Sequence, residues 1–234
     1  MDIGRAFSYV FQDQRWLSKV AIGGLVSAVP ILNFAAFGYM LKVAQNVAQD
    51  NPQPLPEWND FGDHFMRGLY AVVITIVYLI PYFIIIGIFS CITGMLGGAS
   101  SGSDSASAAA GLLGCLFVPI YLIVLFASLL LSYAAMARYA ATNTLGEAFK
   151  FGEIFAMVRN HPGPWLMFLL VALLAGIVGG LGIIACGIGV IFTAFYSYLV
   201  MGHALGQTMV QQGMVGGSMY NTPPPSYEPP TTSY

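Results

Sequence analysis

The sequence predicts an all-α membrane protein: four transmembrane helices, one re-entrant helical hairpin and short amphipathic interfacial helices. Three observations point there. First, 57% of the 234 residues are hydrophobic and only 8% are charged, where a soluble domain carries about 25%. So few charges cannot cover a surface exposed to water, and lipid must be much of the solvent. Second, uncharged runs of membrane-crossing length recur along the chain. Third, the eight lysines and arginines fall between those runs in a one-sided pattern. The net charge of −2 and the lack of any long basic run give no signal for nucleic acid.

The N-terminus comes first. Ile3, Ala6, Phe7, Val10 and Phe11 follow the spacing i, i+3, i+4, i+7, i+8, while Arg5, Ser8, Gln12 and Asp13 fall elsewhere. This pattern predicts one amphipathic helix over residues 2–18, N-capped by Asp2 and suited to the headgroup layer. It does not read as a cleavable signal, so targeting would rest on the membrane segments. The device recurs twice. Trp58, Phe61, Phe65 and Leu69 make an apolar stripe ahead of the second long apolar run, and Thr144-Leu145-Gly146-Glu147 has capping-box spacing. Ile3-Gly4-Arg5-Ala6-Phe7 also echoes Leu145-Gly146-Glu147-Ala148-Phe149, a short match that fits either an internal duplication or chance.

Residues 21–41 carry no charge and are long enough to cross a bilayer as one helix. Val29-Pro30-Ile31-Leu32-Asn33 interrupts them. Pro30 donates no backbone hydrogen bond and disfavours helix at Val29, and Asn33 is suited to cap a new helix from Phe34. Each arm, about 16–21 Å long, is too short to span alone. The reading is a re-entrant hairpin turning at Pro30 and Asn33, its turn shielded by protein because exposed backbone is costly in lipid. The alternative is a proline-kinked spanning helix.

Four further runs read as spanning helices: 68–96 with Pro81, 106–137 with Pro119, and 162–184 and 187–210, which only Ala185 and Cys186 separate. His161-Pro162-Gly163-Pro164-Trp165 is a helix start with an interfacial tryptophan. Residues 50–56 form a polar, extended linker, and 97–107 a small-residue loop. After Gly213 the chain turns proline-rich, which divides it into a helical membrane domain, 1–212, and a disordered cytoplasmic tail, 213–234.

Charge decides between the two topologies. If 21–41 spans, three of the eight basic residues lie on one side and five on the other; if it turns back, all eight share one side. Cytoplasmic loops are enriched in Lys and Arg, so the hairpin fits better and both termini are expected in the cytoplasm.

Several motifs occur in a fixed order: Asp2-Ile3-Gly4-Arg5-Ala6-Phe7-Ser8-Tyr9, Ile22-Gly23-Gly24, Val29-Pro30-Ile31-Leu32, Gly38-Tyr39 and Leu55-Pro56-Glu57-Trp58-Asn59-Asp60-Phe61. Together they resemble a prokaryotic membrane-protein family known as domain of unknown function number 4013, over roughly residues 2–210. Asn33 stands where that pattern leads one to expect glycine. The resemblance implies a multi-pass protein of a bacterial or archaeal plasma membrane and brings no activity or site residue with it.

Sites for chemistry are sparse. Gly98-Ala99-Ser100-Ser101-Gly102 matches G-x-S-x-G, but a nucleophile elbow needs a strand-to-helix turn, and the topology sets Ser100 a membrane away from His203. Asp60, Asp63 and His64, with Glu147, Glu153 and His161 on the same side, are a possible metal set or simply a solvated face. Cys91 and Cys115 are placed to share a depth, as a disulfide or as free apolar thiols. Tyr196, Ser197, Tyr198, His203 and Gln207 make the last helix the most polar, which suits a pathway or interhelical hydrogen bonds. Gly94-xxx-Gly98, Gly176-xxx-Gly180 and Gly202-xxx-Gly206 permit close packing. Pro224, Pro225 and Tyr227 fit the PPxY form that docks WW domains, or belong to a solvated tail.

The sequence thus predicts no catalytic, cofactor or metal site, and a protein that is not an enzyme. The expected role is a scaffold or accessory subunit of a membrane assembly, with the lipid bilayer and other membrane subunits as partners. The alternative is a small-solute transporter or channel built on the hairpin and the polar last helix.

Overall fold

The computed structural model describes residues 1–99, 104–184 and 188–214, which are helical apart from short connections. Helix α1 (Ile3–Ser8) continues into a 3-10 turn, Tyr9–Gln12. Asp2 caps it as the sequence predicts, its Oδ1 accepting the Arg5 backbone N–H at 2.9 Å. The single helix expected over 2–18 is nevertheless broken. Asp13 is extended, and its carboxylate takes the Arg15 backbone N–H and the Lys19 ammonium, each at 2.7 Å. A side chain that bonds its own neighbourhood in this way competes with helix, and the chain restarts as α2 (Trp16–Ala28).

Pro30 ends α2, and α3 (Asn33–Ala48) follows. The two arms run oppositely along α8 (Ile188–Gln211). Asp2 meets Gln207, Tyr9 meets Leu199 and Gly24 meets Phe192, whereas Met40 meets Gly202 and Ala44 meets Gly206. The chain therefore turns back, in a helical hairpin. Two details of the turn differ from expectation. Leu32, not Asn33, is the N-cap residue, and Asn33 Oδ1 is buried without a hydrogen-bond partner. The turn is also not shielded, with Val29 45% and Ile31 67% exposed. Gly24 already sits against Phe192 and Ile191 near the start of α8, so the turn overhangs the helix that supports it.

Helix α3 closes with Asp50 at φ 55. The Asn51 N–H bonds the Asn46 carbonyl at 2.9 Å and the Asp50 N–H that of Val47 at 3.1 Å, a Schellman ending that glycine usually supplies. The linker then runs back along α3. Asn46 Nδ2 donates to the Pro54 carbonyl at 3.0 Å, the Tyr39 hydroxyl to that of Pro56 at 2.7 Å, and Trp58 stacks on Tyr39. Helix α4 (Phe61–Ala99) therefore starts beside the N-terminal half of α3 and climbs it in the same direction. The two touch where a Cβ on Gly38 would lie 1.7 Å from the His64 carbonyl oxygen, and one on Gly68 1.6 Å from that of Phe34. Further along, Ala71, Ile74 and Tyr78 share a core with Leu41, Ala44 and Ala48. The separate helix expected around Trp58–Leu69 is absent: Trp58–Asp60 make one 3-10 turn and α4 runs on unbroken, because its base is held by α3.

Helix α5 (Asp104–Thr142) returns antiparallel, pairing Tyr139 with Tyr70 and Phe117 with Phe89. At 39 residues each, both helices are about 58 Å long, nearly twice the roughly 30 Å of a hydrocarbon core. Burial divides them. Residues 71–78 and 128–140 supply much of the core, whereas no described side chain in 79–95 or 111–127 is buried. The inner parts belong to a packed base, and the outer parts present Ile80, Phe83, Ile84, Leu116 and Ile123 outward.

A 3-10 turn, Leu145–Phe149, leads through α6 (Phe151–Asn160) to α7 (Pro162–Leu181), which packs antiparallel on α8. Thr144 does not cap, since Glu147 instead pairs with Arg138 at 2.7 Å and Lys150 at 2.6 Å. Trp165 is fully buried, not interfacial, its ring edge-on to Phe168. Cys91 and Cys115 are free and exposed. Phe89 and Phe117 occupy the facing positions two residues away, which turns both thiols outward. Cys186 and Ser100 lie outside the described residues. Four helices, Trp58–Met95, Gly114–Thr142, Pro162–Ile184 and Gly189–Gln211, are long and apolar enough to cross a membrane. The protein is a multi-pass membrane protein.

Candidate functional site

The polar residues of α8 divide into two groups. The first group knits helices together. Ser197 Oγ donates to the Ala175 carbonyl of α7 at 2.6 Å, the Tyr196 hydroxyl donates to the Phe7 carbonyl, and Tyr198 packs its ring on Phe37. The Ser197 and Tyr196 bonds satisfy polar groups that would otherwise be stranded in an apolar interior.

The second group, His203 and Gln207, meets the N-terminal segment. Gln207 Oε1 accepts the Asp2 backbone N–H at 2.7 Å, which fixes the amide's orientation because an N–H can only donate. Gln207 Nε2 must then donate, to the Asp2 carbonyl at 3.2 Å and to His203 Nδ1 at 3.1 Å. His203 Nδ1 is therefore the acceptor, and the neutral ring carries its proton on Nε2. Tyr9 covers the ring with centroids 4.4 Å apart and gives its own proton to the Leu199 carbonyl at 2.9 Å. Burial holds the Tyr9 phenol well above its ordinary range.

These groups border a cavity of about 310 Å³ between α1, the end of α3 and the end of α8. Asp2, Arg5, Tyr9, Asp50, His203 and Gln207 line it. The His203 ring is 3% exposed. Its Nε2 has no hydrogen-bond partner among the described residues, and neither has the Arg5 guanidinium. Sequence reasoning found His203 and Gln207 but missed Arg5, Tyr9 and Asp50. Arg5 and Tyr9 stand at i, i+4, a spacing visible in the sequence, while Asp50 reaches the cavity only through the left-handed end of α3.

Beside this cavity an ion cluster centred on the buried Lys19 ties the N-terminal segment to the linker. Lys19 Nζ lies 2.7 Å from Asp13 Oδ2, 2.9 Å from Glu57 Oε1 and 3.0 Å from the Leu55 carbonyl. Burial alone would raise the Asp13 carboxyl, but hydrogen bonds from Lys19 and the Arg15 N–H hold it below the usual carboxylate range.

The other sequence candidates lie apart. Pro30 and Asn33 sit at the opposite end of α3. Asp63 is paired with Arg67 at 2.7 Å, and Glu153 with Arg138 at 2.7 Å. His64 is buried and bonds the Glu57 carbonyl at 3.0 Å through Nε2. Among the described residues no three His, Cys, Asp or Glu side chains gather as metal ligands would. Pro224, Pro225 and Tyr227 lie outside the described residues.

A family model described as protein of unknown function (DUF4013) matches residues 22–188. Neither the curated proteins nor the solved structures give a match.

Proposed function

The chain belongs to the DUF4013 family of proteins of unknown function, and from that premise we propose that it is a non-catalytic scaffold or accessory subunit of a membrane assembly. The observation that carries this is the division of the α4–α5 hairpin. Its base is locked by α3 and by ion pairs, while its outer length is covered by nothing else in the described chain. A rigid apolar hairpin on a polar base can bind lipid on some faces and other membrane helices on the rest. The exposed apolar tip at Val29 and Ile31 offers a second such surface. In this reading α1 lies at the interface and the host membrane is a prokaryotic plasma membrane. Because α4 runs in the same direction as α3, the expected layout, with α3 returning to the cytoplasm and α4 leaving it, gives way to one in which positions 5 and 48 share a side.

The transporter reading draws on the cavity at His203. Against it, the interior between that cavity and the far end of α8 is filled by Tyr39, Phe195 and Leu199, all fully buried. Purification in mild detergent after crosslinking in cells tests the proposal. A discrete complex with specific membrane partners is expected, and a clean monomer on both counts would overturn it. Orientation is tested with an impermeant thiol reagent on single cysteines near positions 5 and 48, in a background without native cysteines. The two should react alike in intact cells. Modification at 48 with silence at 5 would reject the hairpin topology.

A further inference from the structure

We propose that the cavity bounded by Arg5, Asp50 and His203 binds a small zwitterion, a primary ammonium joined by a short linker to an anionic group, with phosphoethanolamine as the instance its position favours. The argument starts from volume. About 310 Å³ is at the small end of ligand pockets, enough for a headgroup or an amino-acid-sized molecule. Charge comes next. The Arg5 guanidinium and the Met1 terminus face two carboxylates, Asp2 and Asp50, around the wall, so the site is mixed in charge, and a simple anion or a simple cation would leave groups of one sign unmatched.

The donors are specific. Arg5 has no ion-pair partner among the described residues, and an arginine fork suits a phosphate or carboxylate. His203 is almost fully buried, and the Gln207 amide fixes its tautomer so that the free ring nitrogen is a donor. Two donors of this kind beside one another suit an anionic oxygen. Asp2 already has one carboxylate oxygen on the Arg5 backbone N–H. That leaves Asp50 as the partner for the ammonium, at a left-handed position where glycine would be cheaper. Finally, Gln207 and Gln211 mark the polar end of an apolar span, Gly189–Gln211, which is where lipid headgroups lie.

The same chemistry can come from a free zwitterion or from a phosphatidylethanolamine headgroup, and the test separates them. The full-length protein is titrated in detergent with phosphoethanolamine, phosphate and ethanolamine by calorimetry. It is also reconstituted into nanodiscs of phosphatidylethanolamine or phosphatidylcholine and examined for retained lipid by native mass spectrometry. Saturable binding of phosphoethanolamine at least tenfold tighter than of phosphate or ethanolamine is expected for a free ligand. Selective retention of phosphatidylethanolamine is expected for a lipid. Arg5→Gln and Asp50→Gly, both on exposed side chains, should each weaken the bound form tenfold or more while the thermal midpoint stays within a few degrees of wild type. Binding of phosphate as tight as of phosphoethanolamine, absence of binding in every arm, or full binding by both variants would overturn the proposal.

Discussion

Placing a methyl group on Gly38 tests the α3–α4 contact on which the base depends. The new Cβ would lie 1.7 Å from the His64 carbonyl oxygen and 2.8 Å from the Gly68 nitrogen. Both are backbone atoms, so no side chain can swing aside. Ordinary contact begins near 3.4 Å, and the helices must part by about 1.7 Å or shear. A gap of about 0.5–1 Å already forfeits a quarter to a half of each dispersion contact, worth about 0.1–0.2 kcal/mol per atom pair. At about 1.7 Å the loss per contact is larger still, and overpacking of this kind costs about 3 kcal/mol, the top of its usual range. Gly38→Ala should lower the thermal midpoint of the detergent-solubilised protein by on the order of 10 °C, read as loss of the monodisperse chromatographic peak after heating. Gly62→Ala is the control. It sits on the partner helix, α4, with nothing within 4 Å, and alanine should there be neutral or stabilising by up to about 1 kcal/mol. Gly38→Ala with Gly68→Ala should cost clearly less than the two separately, since either one opens the shared gap. A wild-type midpoint for Gly38→Ala, or strict additivity of the pair, would refute the crossing.

Further expectations follow from the ion clusters and the thiols. Lys19→Met leaves the Asp13 and Glu57 carboxylates without their buried partner and should cost about 3 kcal/mol by thermal unfolding. Because Asp13 titrates below its unfolded value, its contribution is complete above the ordinary carboxylate range near about pH 4 and disappears as pH falls through its folded value. The acid loss of stability should accordingly be shallower in Lys19→Met than in wild type. Glu147 is likewise held low by Lys150 and Arg138, so Arg138→Gln should lower the thermal midpoint slightly, and by less at high salt. With Cys186 replaced by serine, the intact mass should be the same with and without reductant, since Cys91 and Cys115 face outward from the hairpin.

What was legible in the sequence depends on whether the information was local. The spanning helices were readable because a bilayer demands length and apolarity in one continuous segment. The chain's turn at Pro30 was readable because proline acts on its own neighbours. The N-terminal helix was overread: Asp13 broke it through a carboxylate that also binds Lys19, six residues on. Among the glycine motifs the outcome is instructive. Gly202 and Gly206 do sit at a close crossing, 2.6 Å in Cβ terms from the Met40 and Ala44 carbonyls, yet Gly176, Gly180 and Gly94 meet nothing within 4 Å. The tightest crossing uses one glycine from each of two helices, Gly38 and Gly68, and no spacing within a single helix can announce such a pair. The cavity was half visible for the same reason. His203 and Gln207 stood out as polar residues in an apolar run, whereas Arg5 and Asp50 became neighbours only once the linker had folded back along α3. In a protein whose surface faces lipid, hydropathy reports what meets the membrane. The contacts that give the base its shape are made by small residues and paired charges, which hydropathy passes over, and it is there that substitutions should do the most damage.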